Sequence, residues 1–252
     1  MFQRRAIAIL LIVAFFLLPA CAAKTQKLKK QSEAIRNLGE AYLGQNNITA
    51  AIKQFLEAEK LYPDDYLLQD DLGMAYAAKK RYSKAIVHFK RAIKLQPDYA
   101  PAKNNLGSVY LLTKRWDEAI AVLNQVSDDI LYASPHFPLH NTGWAYYNKG
   151  DQAKARHYFN RALELEPDFV FPMRGMALSF LAQGRLSDAI VWFEKAVTKA
   201  PQFQDLLYEM AGAYLKARQY DKARETLERA VAAGPDTKTG QKARRELTAL
   251  SM

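Results

Sequence analysis

The sequence has a single cysteine, Cys21, among its 252 residues. One thiol cannot form a disulfide within the chain, and it cannot supply the paired cysteines of a structural zinc site. A glycine-rich phosphate loop and a nucleophile elbow are also absent from the sequence. The chain therefore lacks common motifs of nucleotide-binding proteins, zinc proteins and serine hydrolases.

Histidine is scarce as well, with four residues in the chain. Among them, His136 and His140 have the spacing of two metal ligands on one helix, but Pro138 lies between them. Phenylalanine follows His136, where a zinc protease requires glutamate. We therefore expect no metal ion, no catalytic residue, no small-molecule substrate and no enzymatic activity.

A run of 15 apolar residues, Ala6–Ala20, follows Arg4 and Arg5 at the start of the chain. This arrangement is typical of a secretory signal peptide, which we place at residues 1–20. The run is shorter than the roughly 20 apolar residues that cross a bilayer. Counting on to Ala23 lengthens it to 18 residues, so an uncleaved signal anchor is the alternative.

The end of this run, Leu18-Pro19-Ala20-Cys21, resembles the lipobox of bacterial lipoproteins. The resemblance implies that Cys21 carries a covalent lipid and becomes the first residue after cleavage; we expect no other cofactor. Ala22 stands where an aspartate would retain such a protein at the inner membrane. This favours a lipid-anchored protein of the outer membrane that faces the periplasm. A buried, unmodified Cys21 at the end of a signal anchor is the alternative.

The chain is basic, with a formal charge of +10 that falls to +8 without Arg4 and Arg5. The cations are dispersed among 26 acidic residues, and residues 24–30 form a short basic segment without an acidic residue. We therefore expect no nucleic-acid partner. Residues 21–31 are interpreted as a lipidated linker next to anionic headgroups, or as a plain solvated spacer.

A six-fold repeat fills most of the remaining sequence, with an offset of 34 residues that rises to 36 between the third and fourth copies. Each copy has a small residue, an aromatic residue three places later and an alanine twelve places after the small residue. The small residues are Gly39, Gly73, Gly107, Gly143, Ala177 and Ala211; the aromatics are Tyr42, Tyr76, Tyr110, Tyr146, Phe180 and Tyr214; the alanines are Ala51, Ala85, Ala119, Ala155, Ala189 and Ala223.

This pattern resembles the tetratricopeptide repeat (TPR), a helix-turn-helix of 34 residues. The implied fold is an all-α right-handed superhelix, or α-solenoid, in which small residues let paired helices approach closely. Residues 32–237 would form six repeats, and residues 238–252 a C-terminal capping helix. The predicted repeat boundaries are 32–65, 66–99, 100–133, 136–169, 170–203 and 204–237.

In this family the first helix of each repeat lines a groove that binds a protein segment. The positions carried over from the family are Asn104, Asn105, Phe137, His140, Asn141, Trp144, Tyr147, Phe171, Arg174 and Tyr208. The alternative for Phe137 and Phe171 is that they pack against a neighbouring repeat. A carboxylate clamp is not predicted, because Glu40 and Asp71 stand at two of its asparagine positions.

The joint between the third and fourth repeats has two extra residues and lacks the closing proline. Its element Asp129-Ile-Leu131-Tyr132 resembles the same joint in type IV pilus pilotins, which are six-repeat lipoproteins that help an outer-membrane secretin to multimerise. The implied partner is such a secretin, reached from a lipid anchor in the membrane. A general cell-envelope adaptor, for outer-membrane assembly or peptidoglycan enzymes, is the alternative function.

Overall fold

The computed structural model describes the backbone of residues 2–127 and 132–250, and the side chains of residues 23–127 and 132–250. Within these ranges the chain forms helices joined by turns, which confirms the all-α class. The helices are α1 (Phe2–Gly44), α2 (Ile48–Leu61), α3 (Tyr66–Ala78), α4 (Tyr82–Leu95), α5 (Ala100–Leu112), α6 (Trp116–Leu123), α7 (His136–Asn148), α8 (Gln152–Leu165), α9 (Val170–Ala182), α10 (Leu186–Lys199), α11 (Gln204–Lys216), α12 (Tyr220–Ala233) and α13 (Lys238–Ala249).

The chain divides into two compact units, residues 1–109 and 110–252, with the division inside α5. In unit 1, α1 packs on α2, α2 on α3, and α3 on α4. In unit 2, each helix from α6 to α13 packs on the next, and α7 also contacts α9. Each unit therefore has the consecutive helix-pair packing of a TPR solenoid.

Buried phenylalanine rings fill the space between the two helices of a pair. In unit 1, Phe55 and Phe89 are 0% and 1% exposed. A Cβ atom on Gly39 would lie 2.4 Å from the Phe55 ring, and one on Gly73 would lie 2.4 Å from the Phe89 ring. Glycine is required at these places because a methyl group would overlap the ring.

The same arrangement recurs in unit 2, where the Phe159 ring lies between two glycines. A Cβ atom would lie 2.6 Å from this ring on Gly143 and 2.5 Å from it on Gly175. The six repeat alanines are fully buried, as are Ala177 and Ala211. Gly107, Tyr76, Tyr110 and Tyr214 are buried, whereas Tyr42 and Tyr146 are partly exposed.

One residue in the left-handed conformation lies in the turn of every repeat. Its φ angle lies between 57° and 86°, at Asn46, Lys80, Lys114, Gly150, Gly184 and Arg218. The next residue donates its backbone N–H to the carbonyl oxygen of the repeat's aromatic residue, as Arg81 does to Tyr76 at 2.8 Å. This hydrogen bond ends the first helix, as in a Schellman motif. The chain then turns and enters the second helix.

The predicted capping helix is present as α13, and it begins two residues ahead of Gly240. The Thr237 hydroxyl accepts the Gly240 backbone N–H at 3.0 Å, which caps the helix. Ala243 is fully buried, and Leu247 and Leu250 pack partly buried against the core of unit 2. The apolar side of α13 therefore closes this stack of helices.

The predicted linker, residues 21–31, and the joint between the third and fourth repeats are described in part. The backbone of residues 21–31, expected to be a linker, continues α1 as helix, while the Cys21 side chain lies outside the described residues. At the joint, α6 has 8 residues, whereas α8 has 14. The joint's acidic and leucine residues, Asp128 to Leu131, lie outside the described residues.

A pair of glycine substitutions tests the left-handed turn. Gly184→Ala places a methyl group on a residue with φ of +73°, so we expect the free energy of unfolding to fall by about 1 kcal/mol. Gly212→Ala is the control, because Gly212 lies inside α11 and a Cβ there meets nothing within 4 Å. It should raise the free energy of unfolding by about 0.5–1 kcal/mol. Urea denaturation followed by circular dichroism measures both, and an equally stable Gly184→Ala would contradict the role of this turn.

Candidate partner-binding faces

The first helices of the repeats in unit 2, together with the residues just ahead of them, present a row of aromatic side chains. We call His136, Phe137, His140, Phe169, Phe171 and Phe203 the aromatic row. Neighbouring rings in it have centroids 4.3–6.1 Å apart, mostly in edge-to-face or tilted arrangements. Such offset contacts are the favourable geometry for aromatic pairs, so they stabilise the row.

Two members of the aromatic row face solvent. Phe137 is 43% exposed and Phe171 is 48% exposed, although both rings are supported from behind. Phe169 and Phe203 supply that support from the residues just ahead of α9 and α11. Exposed aromatic side chains are enriched at protein–protein interfaces.

His140 belongs to the row but does not act as a charged group. Burial, with a smaller contribution from Arg174, lowers the pKa of His140 to about 4. The imidazole is therefore neutral at physiological pH and behaves as part of the apolar surface. Among the described residues, no group of His, Cys, Asp or Glu side chains could hold a metal ion.

A second cluster in unit 2 combines Trp144, Tyr147, Arg174 and Glu209. Trp144 stacks on Tyr147 with ring centroids 5.0 Å apart, and the Arg174 guanidinium lies 5.6 Å from the Trp144 ring. Arg174 Nε donates to Glu209 Oε2 at 2.6 Å, and a second guanidinium nitrogen bonds the other carboxylate oxygen. This bidentate pair fixes Arg174, so its charge is already balanced.

Tyr208 lies on α11 and forms a hydrogen bond with the capping helix α13. Its hydroxyl donates to Glu246 Oε1 at 2.6 Å, and this contact raises the pKa of Tyr208 to about 12. The neighbouring Asp205 accepts a hydrogen bond from Thr239 at 2.6 Å. Tyr208 therefore has a structural contact besides its predicted place in the groove.

Unit 1 has a different chemistry on its first helices. We call Arg36, Glu40, Asp65, Asp70 and Asp71 the acidic face. Arg36 Nε lies 3.2 Å from Glu40 Oε1 and 3.7 Å from Asp71 Oδ2. Arg36 Nη1 lies 3.2 Å from Asp65 Oδ2. The Arg36 guanidinium is therefore shared by three carboxyl groups.

Asp70 and Asp71 are nearly enclosed, at 3% and 7% exposure. Asp70 accepts hydrogen bonds from Asn105 at 3.1 Å and Tyr99 at 3.5 Å. Burial raises the pKa of Asp70 to about 6, although these hydrogen bonds oppose the shift. Burial, followed by repulsion from Glu40, also raises the pKa of Asp71, while Arg36 opposes the shift.

The structure sorts the predicted groove residues into several groups. Phe137, His140 and Phe171 meet in the aromatic row, and Trp144, Tyr147 and Arg174 meet beside Glu209. Asn141 lies on α7, while Asn104 and Asn105 belong to unit 1.

Sequence reasoning did not identify Phe169, Phe203, Glu209 or the buried pair Asp70 and Asp71 as candidates. Phe169 and Phe203 are one 34-residue period apart. Both lie at the last position of a repeat, so a comparison of that position would have found them.

Sequence models of the tetratricopeptide repeat match residues 36–100, 76–130, 136–169 and 180–247. No curated protein matches the chain in sequence. Across the described part of the chain, no helix is long and apolar enough to cross a membrane.

Several solved structures share the fold. PilW, a widely conserved type IV pilus biogenesis factor, is 24% identical, with a TM-score of 0.75 over 84% of this chain and 97% of PilW. PilF of Pseudomonas aeruginosa is 20% identical, with a TM-score of 0.73 over 87% of this chain and 99% of PilF. A tetratricopeptide repeat protein from Parabacteroides merdae is 16% identical, with a TM-score of 0.72 over 88% of this chain and 87% of that protein.

The buried carboxylates predict a pH-dependent effect of Asp71→Asn. A carboxyl group with a raised pKa binds its proton more tightly in the folded chain, so its contribution to stability is present at low pH. That contribution is lost as the pH rises from the unfolded pKa through the folded pKa. The amide cannot ionise, and Arg36 keeps Asp65 and Glu40 as partners. We therefore expect Asp71→Asn to raise the melting temperature at pH 8 by a few degrees, where ~1 kcal/mol corresponds to about 2–4 °C.

The same measurement at pH 4 should show little difference between Asp71→Asn and the wild type. Glu57→Gln is the matched control, because Glu57 is an exposed carboxylate of unit 1 that pairs with Lys60. It should change the melting temperature by no more than about 1 °C at either pH, as expected for an exposed ion pair. A lower melting temperature of Asp71→Asn at pH 8 would mean that the ion pair with Arg36 outweighs the burial of charge.

Proposed function

The chain belongs to the tetratricopeptide-repeat family, and from that premise we propose that it is an outer-membrane lipoprotein that helps a type IV pilus secretin to localise and multimerise. It would act by holding its partner, with no catalytic step. The observation that carries the proposal is the fold shared with PilW and PilF across nearly the whole length of each. A role as a TPR scaffold for protein interaction follows from the repeats themselves.

The aromatic row supplies the surface for this partner. Phe137 and Phe171 offer apolar area that water covers in the free chain, and the neutral His140 adds no charge beside them. Burying an exposed phenylalanine against a partner contributes on the order of 1.5–3 kcal/mol. The rings are already packed on Phe169 and Phe203, so little side-chain freedom is lost on binding.

The proposed membrane anchor rests on the sequence around Cys21. A lipid on that thiol would attach α1 to the membrane, and more than one acyl chain is needed for stable attachment. Residues 24–30 contribute several lysines next to that point, where an anionic membrane surface attracts them. Ala22 supports the outer membrane as the destination.

A deletion strain tests the proposed partner. We expect loss of heat-resistant secretin multimers on gels and loss of twitching motility, both restored by the wild-type chain. The double variant Phe137→Ala and Phe171→Ala should restore less than about a fifth of the multimers, because the partner surface loses both exposed rings. Normal multimers in the deletion strain would exclude the secretin role.

The matched control is Val191→Ala, which removes an exposed apolar side chain from α10, outside the aromatic row. Val191 is 48% exposed, so its loss should leave folding and multimer formation unchanged. Cross-linking in intact cells should recover a secretin with the wild-type chain. Recovery of peptidoglycan enzymes or an outer-membrane assembly machine would instead support the general envelope adaptor.

Two substitutions test the anchor. Cys21→Ser removes the acceptor thiol, so the chain should lose its lipid and leave the outer-membrane fraction on a sucrose gradient. Ala22→Asp keeps the thiol and should shift the lipidated chain to the inner-membrane fraction. Mass spectrometry of the N-terminal peptide measures the lipid directly, and an unmodified Cys21 on an uncleaved N-terminus would contradict the lipoprotein assignment.

A further inference from the structure

The capping helix α13 has two sides of opposite chemistry. Ala243, Leu247 and Leu250 pack towards the core of unit 2. Residues three, four and seven places apart share one side of a helix, so the polar residues of α13 collect on the side away from that core. Six of them are exposed, and we call them the cationic face: Lys238, Gln241, Lys242, Arg244, Arg245 and Thr248.

The positive charge of the cationic face is not balanced by its own helix. α13 contains four cations and a single carboxylate, Glu246. Glu246 is half-buried and accepts the Tyr208 hydroxyl, so it faces away from the four cations. None of the four forms an ion pair with a described side chain, unlike Lys149, Arg174 and Arg185 of the same unit. Their charges are therefore available to an anionic ligand.

A shallow depression of about 400 Å³ lies on the cationic face and is lined by Gln241, Arg244, Arg245 and Thr248. Two of these side chains end in guanidinium groups, whose planar fork of N–H donors matches the oxygens of a phosphate group. The Gln241 amide and the Thr248 hydroxyl add polar atoms without negative charge. The lining therefore suits a ligand that carries phosphate groups.

The cationic face lacks the apolar side chains that a protein interface uses. The exposed residues of α13 include no apolar side chain larger than that of Ala249, whereas the aromatic row presents exposed phenylalanine rings. The core of a protein–protein interface is depleted in charged residues and enriched in aromatic ones. A surface of anionic lipid headgroups needs no apolar contact, because it attracts each nearby lysine or arginine by charge. A membrane surface therefore fits the cationic face better than a protein does.

We propose that the cationic face of α13 binds a membrane surface that carries anionic phospholipid headgroups. Arg244 and Arg245 contact lipid phosphates, while Lys238 and Lys242 lie in the negative surface potential. The apolar side of α13 is packed on unit 2, so the helix does not insert into the bilayer as a free amphipathic helix does. The contact stays at the level of the headgroups and is separate from the proposed lipid on Cys21 and from the secretin role.

The test uses the full chain in phosphatidylcholine nanodiscs, which hold its apolar N-terminal run away from the added vesicles. Sucrose-loaded vesicles of phosphatidylcholine, with or without about one third phosphatidylglycerol, are then sedimented with the nanodiscs. Binding to the anionic vesicles should be at least ~10-fold tighter than binding to the neutral ones, because several cations are attracted at once. Raising the salt concentration to about 0.5 M should abolish this difference, since it screens charges more than a few ångströms apart.

A triple variant of α13 locates the contact. It combines Lys242→Gln, Arg244→Gln and Arg245→Gln, and it should remain folded by circular dichroism because glutamine is a good helix former. Its binding to the anionic vesicles should fall at least ~10-fold, because three of the four cations are lost.

The matched control removes the same charge from the turn between α3 and α4. It combines Lys79→Gln, Lys80→Gln and Arg81→Gln, three exposed residues that form no ion pair with a described side chain. At physiological salt its binding should stay within about twofold of the wild type, because charges outside the contact are screened. An equal loss in the two triple variants would overturn the proposal, since attraction would then depend on net charge alone.

Two further outcomes would contradict the membrane contact. Equal binding of the neutral and the anionic vesicles is the first. The second uses fluorescein-labelled hexaglutamate as a probe for an acidic protein segment: if the α13 variant lost this peptide but bound anionic vesicles as the wild type does, the ligand would be a protein.

The vesicle assay contains no secretin, so it and the deletion strain have separate outcomes. Vesicle binding that depends on α13, together with normal secretin multimers in the deletion strain, would leave the membrane contact and exclude the pilus role. Loss of multimers in the deletion strain without charge-selective vesicle binding would do the reverse.

Discussion

The contact between a glycine and a buried phenylalanine ring is the constraint on which the rest of the structure depends. In unit 1 it joins Gly39 to Phe55 and Gly73 to Phe89, and in unit 2 the Phe159 ring lies between Gly143 and Gly175. The ring fills the space that the absent side chain leaves, so the separation of these helix pairs is fixed. Because the separation of these pairs is fixed, the side chains on the first helices within each unit also have fixed positions relative to one another.

The repeat pattern predicted this framework well, because its signals are local and recur at one spacing. The small residues and alanines are constrained by contact within a pair, and a contact that recurs in every repeat leaves a visible period. Left-handed turns were harder to predict. Gly150 and Gly184 indicate such a turn, whereas Lys80, Lys114 and Arg218 adopt the same conformation without any glycine signal. The Schellman hydrogen bond imposes that conformation regardless of the residue type.

The candidate faces were less predictable because they depend on contacts between neighbouring repeats. Family positions identified Phe137 and Phe171, but their exposure depends on Phe169 and Phe203, which belong to the connecting segments. Similarly, Tyr208 was assigned from the family to the groove, and its hydrogen bond to Glu246 became visible only once α13 was in place. The acidic face combines residues of α1 and α3, which belong to two different repeats, so no single repeat contains the signal.

The shared turn geometry has a consequence for the surface of the molecule. Asn46, Lys80, Lys114 and Arg218 hold the same left-handed conformation, and these side chains are all exposed. The backbone hydrogen bonds to the preceding aromatic carbonyls maintain each turn, so the side chain itself is not needed for packing. Evolution or protein engineering can therefore alter the electrostatic potential of the solenoid edge one repeat at a time, leaving the helix interfaces untouched.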